Sequence, residues 1–94
     1  MPQDQAPRLN ADQKRFEIQV GDSMAVLAYH DRPNGTRVFV HTEVPPPIEG
    51  RGVGTQLVKA ALDEAKEAGR RIVAQCPFVA SYIAKHPEYE SLTE

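Results

Sequence analysis

The chain has 94 residues, 40% of them hydrophobic and 26% charged, which is enough for one thin-cored domain. It is too short for an active site enclosed between two lobes, so any site has to lie in a surface groove or against a second copy. Eleven Lys and Arg against thirteen Asp and Glu give a net charge of −2, without the basic excess that nucleic-acid binding calls for, and a single cysteine rules out an internal disulfide.

Residues 1–13 are polar, carry Pro2 and Pro7, and read as a flexible leader without an apolar signal core; residues 14–94 form the domain. Phe16, Ile18 and Val20 alternate with polar neighbours and predict a strand. After the turn residues Gly21-Asp22-Ser23, Met24–His30 is apolar on both faces, as in a strand inside a sheet. Pro33-Asn34-Gly35 predicts a tight turn, and Arg37–Val44 a third strand, completing an antiparallel meander. Pro45-Pro46-Pro47 ends that strand, because three residues without an N–H cannot continue a ladder. Val53, Leu57, Val58, Ala61, Leu62 and Ala65 recur at helical spacing, and Gly69 stops that helix. Arg71–Gln75 predicts a fourth strand, parallel to the third because a helix joins them. Pro77 to about Lys85 predicts a short last helix, stopped by Pro87. The fold class is α+β.

Gly50-Arg51-Gly52-Val53-Gly54 opens the long helix. Unpaired N–H groups at a helix start, with glycines that let a ligand approach the backbone, suit a phosphate or pyrophosphate. The P-loop would need Lys-Ser/Thr after its last glycine, but Thr55-Gln56 stands there. The dinucleotide fingerprint needs a different glycine spacing. On the glycines alone, a turn without a ligand is an equal reading.

The run Val44-Pro45-Pro46-Pro47-Ile48-Glu49-Gly50-Arg51-Gly52-Val53-Gly54-Thr55-Gln56-Leu57-Val58 resembles the acyl-CoA motif of the GNAT superfamily of N-acetyltransferases. The resemblance extends from about Phe16 to Tyr89. It covers His41-Thr42-Glu43-Val44-Pro45-Pro46 and the stretch from Cys76-Pro77-Phe78 to His86-Pro87-Glu88-Tyr89, as in the short single-domain members. It implies a reduced GNAT-like fold and an acetyl-CoA-dependent N-acetyltransferase acting on an amine; a CoA-binding or scaffold module without turnover is the alternative. It also implies acetyl-CoA as co-substrate. Backbone groups of Arg51, Gly52, Val53, Gly54 and Thr55 would lie on its pyrophosphate, and Thr42 to Val44 along its pantetheine arm. Glu49 departs from the motif, which has Gln or Arg there, and is expected to face solvent or pair with Arg51. The helices that shape the acceptor pocket in longer members are missing, because the first strand runs almost directly into the second.

The tyrosine that serves as acid in many members maps to Ala84, leaving Tyr82 or Tyr89 as substitutes or as packing residues. Cys76 lies where a strand ends and a helix begins, either as a thiolate favoured by the helix start that accepts the acetyl group directly or as a buried packing residue. His41 and Glu43 are two apart on the third strand and share a face with Phe39, as a general base or as a polar pair at a sheet edge. Lys85, with Arg51, is a candidate for the outer phosphates. His30, His41 and His86 lie on separate elements, so no metal site is expected. No membrane or nucleic-acid partner is expected, the cytoplasm is the expected location, and the chain is expected as a monomer or homodimer.

Overall fold

The structure is a computed structural model that describes residues 6–94. Five strands form one sheet in chain order: β1 (Arg8–Asn10), β2 (Arg15–Val20), β3 (Ser23–Asp31), β4 (Arg37–Glu43) and β5 (Ile72–Ala74). The first four are antiparallel, and β5 runs parallel to β4. Helix α1 (Val53–Glu67) joins β4 to β5, and α2 (Pro77–Lys85) follows. The α+β architecture agrees with the sequence pattern.

β1 is a departure. Residues 8–10 were expected in a leader but pair with β2, with Leu9 opposite Phe16. Glu17 explains the pairing. Its carboxylate is buried and accepts from Arg8 at 3.1 Å, Asn10 at 2.9 Å and Arg15 at 2.6 Å. Two of these donors lie on β1, so satisfying a buried charge ties the short strand down. Residues 1–5 of the expected leader lie outside the described residues.

One face of the sheet carries the core. Phe16, Tyr29 and Phe39 meet with ring centroids 5.9–6.5 Å apart. Leu57, Val58, Ala61, Leu62 and Ala65 of α1 and Val79 and Ile83 of α2 pack on the same side. At one end of this layer the buried Arg37 binds Asp31 with both Nε (2.8 Å) and Nη2 (3.1 Å), and stacks 3.9 Å over the Tyr29 ring.

A bulge in β4 positions the site. Its register steps from Ala28↔His41 to Tyr29↔Phe39, leaving Val40 as an extra residue. One inserted residue reverses which face the following side chains take. Thr42, opposite the core residue Leu27, therefore shares the side of Phe39, and His41 and Glu43 turn to the uncovered face. The expectation that His41 and Glu43 share a face with Phe39 is corrected by this bulge.

Candidate functional site

Pro45 ends the extended run, and Pro46–Ile48 makes a single 3₁₀ turn closed by the Ile48 N–H on the Pro45 carbonyl. Ile48 is buried and pins the turn to the core. The chain then needs two left-handed residues, Gly50 at φ 81° and Gly52 at φ 75°, to swing into α1. The Gln56 N–H gives the first intrahelical bond, to the Gly52 carbonyl, and Gly52 at the cap position has no side chain to cap the helix. The N–H groups of Val53, Gly54 and Thr55 thus stand at the positive end of α1.

These groups border a groove of about 290 Å³ lined by the loop, Val44 and Phe78. Val44 closes the end of β4, and Phe78 stands in the first turn of α2. A Cβ placed on Gly54 would lie 3.1 Å from the Phe78 ring and 3.5 Å from Val44 Cγ2. Gly54 therefore lets the ring and the loop backbone meet.

Back along β4 from Val44, β4 and β5 part. Their pairing ends at Phe39 and Ala74, and the Cys76 N–H still reaches the Phe39 carbonyl at 2.9 Å. Beyond that point β4 continues while Cys76 starts α2. Across the opening, Thr42 Oγ1 and Cys76 Sγ are 3.3 Å apart, with Cys76 only 4% exposed.

Val44, Gly52, Val53, Gly54 and Thr55 thus line one groove, and Thr42 and Cys76 face each other at the splay. Arg51 instead lines a separate hollow with Val20, Asp22 and Pro47. Lys85 ends α2, about 12 Å along the helix axis from Pro77, and does not line the groove. Glu49 is exposed and lines the groove, and among the described residues it makes no ion pair with Arg51. His41 Nε2 and Glu43 Oε1 are 3.9 Å apart on the uncovered face, with side chains 63% and 69% exposed.

The two tyrosines pack elsewhere. Tyr82 stacks on His86 with centroids 4.0 Å apart. Tyr89 donates to Asp63 at 2.6 Å. That bond and burial push the Tyr89 hydroxyl well above its ordinary range, and burial raises that of Tyr82. Neither lines the groove.

Phe78 is the groove residue that sequence reasoning missed. It sits at the edge of the apolar stripe of Val79, Tyr82 and Ile83, and nothing in the sequence pattern sets it apart from them. Its exposure sets it apart: with Leu9 it is one of two exposed large hydrophobics among the described residues. Among those residues no group of His, Cys, Asp and Glu is arranged to hold a metal, and no helix is long and apolar enough to cross a membrane.

A glycine-turned helix start beneath a strand pair that splays open defines an acyltransferase architecture of the GNAT type. The family described as GCN5-related N-acetyl-transferase matches residues 15–92, and the chain belongs to it. It is similar to Protein NATD1 of Xenopus tropicalis, 32% identical over 84 residues (85% of this chain and 77% of that one). The Danio rerio protein of the same name is 33% identical over 88 residues, covering 87% and 80%. The solution structure of a GCN5-like protein from Staphylococcus aureus superposes with a TM-score of 0.71 at 26% identity, covering 94% of this chain and 86% of that one.

Proposed function

We propose that the chain transfers the acetyl group of acetyl-CoA to an amine, with the pyrophosphate on the glycine loop. The observation that carries this is the order of chemistry from the glycine loop back along β4. Unpaired N–H groups at Val53–Thr55 come first, the apolar walls of Val44 and Phe78 next, and the Thr42–Cys76 pair last. A pyrophosphate, an apolar arm and a thioester follow each other in the same sequence in acetyl-CoA. Among the described residues no basic side chain lines the groove, so the backbone dipoles carry the anion.

In this reading the acceptor ammonium gives a proton to His41, held beside Glu43, and the freed nitrogen attacks the thioester carbon. The C–S bond breaks, and the leaving thiolate takes a proton from the Cys76 thiol. The proton lost by the attacking nitrogen restores that thiol through Thr42. Burial of Cys76 favours this role over that of an acyl carrier. The reaction is assigned to the cytoplasm, with a monomer or homodimer as the unit.

Thiol release from acetyl-CoA in the presence of a panel of amines tests the proposal. Turnover that falls at least tenfold in Cys76→Ala and His41→Ala supports the roles given, on the scale of a general acid or base. Full turnover in both removes them. A trapped acetyl-cysteine in the mass spectrum would instead make Cys76 the carrier. The second reading, a CoA-binding module without turnover, is favoured by the engagement of Tyr82 and Tyr89 away from the groove. CoA binding without thiol release across the panel selects it.

A further inference from the structure

Among the described residues, the face of the sheet opposite the core carries no helix, and its rows read directly from the register. Asn10, Arg15, Ala28 and His41 form one row, and Arg8, Glu17, Val26 and Glu43 the next. Val26 and Ala28 make a half-buried floor one strand wide. On the β1–β2 side two guanidiniums, Arg8 and Arg15, share the single carboxylate of Glu17 and leave a cationic excess. On the β4 side the Glu43 carboxylate has, among the described residues, only His41 as an ion-pair partner, at 3.9 Å. The floor is thus bipolar, with its poles about 10 Å apart, two strand spacings.

We infer that this uncovered face receives the acceptor, and that the acceptor is a lysine on an extended peptide segment with acidic residues close to it. The inference rests on the acetyl-transfer reading above. The bulge at Val40 sends His41 and Glu43 to this face and Thr42 to the other, so donor track and acceptor surface meet at β4 from opposite sides. A lysine amine fits the Glu43–His41 side, its aliphatic stem fits the Val26–Ala28 floor, and a neighbouring carboxylate fits Arg8 and Arg15. An open sheet face encloses nothing. Small ligands are held in concave sites that bury most of their surface, whereas an extended segment gains its contact area along the face.

The test uses the full chain with acetyl-CoA and four amines: a lysine peptide flanked by aspartates, the same peptide flanked by arginines, free lysine, and spermidine. The inference predicts kcat/KM for the aspartate peptide about tenfold or more above each of the others. In a CoA-saturated sample, that peptide should shift the amides of Arg15, Val26, Ala28, His41 and Glu43. Ala28→Arg, which fills the floor, should abolish those shifts and keep the CoA-induced shifts at residues 50–55. If that variant does not fold, the wild-type shift map decides alone. Equal or better use of spermidine or free lysine overturns the inference, as do peptide shifts elsewhere. Shifts of this face that follow protein concentration without peptide would make a second copy its occupant and also overturn it. In each of these cases CoA shifts at 50–55 leave the acetyl-transfer reading standing; their absence removes both.

Discussion

Gly54→Ala separates the stability of the fold from the use of the groove. Gly54 sits in the first turn of α1 without a positive φ, so alanine is compatible with its backbone and gains up to about 1 kcal/mol of helix propensity. The added Cβ meets two Phe78 ring carbons at 3.1 Å and Val44 Cγ2 at 3.5 Å. Only the first contact is too close, and the ring has to withdraw by a few tenths of an ångström. Phe78 is 43% exposed, so the ring has room to tilt at a cost of about 1 kcal/mol or less. The two effects offset, and stability should stay within about 1 kcal/mol of the parent. The groove does not recover in the same way, because the methyl and the displaced ring both enter space that a ligand arm would use. A loss of about tenfold in CoA affinity follows, about 1.4 kcal/mol. Urea denaturation measures the first quantity and titration calorimetry with CoA the second. Unchanged affinity in a folded variant would refute the placement of the arm between Val44 and Phe78. A stability loss above about 3 kcal/mol would refute the view that the ring can yield.

Three further outcomes follow. Glu17→Gln should cost about 1–2 kcal/mol at neutral pH by denaturation, since three donors lose a charged acceptor. The hydrogen bond from Arg15, opposed by burial, holds the Glu17 carboxyl below its ordinary 4.5, so its contribution is complete above that pH and lost as pH falls through the lower folded value. The stability gap between parent and variant should therefore shrink below pH 4.5, and a gap that stays constant down to acid unfolding contradicts the assignment. Tyr89→Phe should cost about 1 kcal/mol through loss of the bond to Asp63 and leave turnover unchanged; a drop in turnover would return Tyr89 to the list of acids. Gly52→Ala places a side chain at φ 75° with open space around it, so the expected loss of about 1 kcal/mol is backbone strain alone.

The sequence pattern reached far into this fold where side chains repeat at a strand or helix period. The apolar set from Val53 to Ala65 and the alternation of Phe16, Ile18 and Val20 name the buried faces correctly. Two features escaped because their causes are not periodic. β1 is three residues held by the carboxylate of Glu17, and Arg8 and Asn10 carry no strand signal of their own. The bulge at Val40 depends on how β3 and β4 pair. No count along β4 alone predicts that His41 leaves the face of Phe39. The glycine loop was readable because left-handed turns demand glycine. The turn of Arg51 into another hollow and the place of Lys85 outside the groove lining were not, since a long side chain's direction depends on its neighbours in space.

In the proposed function the loop, the Val44–Phe78 walls and the Thr42–Cys76 pair together hold an acyl-CoA. Titration of the labelled chain with CoA, followed by amide chemical shifts, tests it most directly. Residues 50–55 should move first, together with Thr42, Val44, Cys76 and Phe78, while Lys85 and the β1–β2 turn stay still. An absence of shifts at about 1 mM CoA, or shifts confined to surfaces away from the loop, would contradict it.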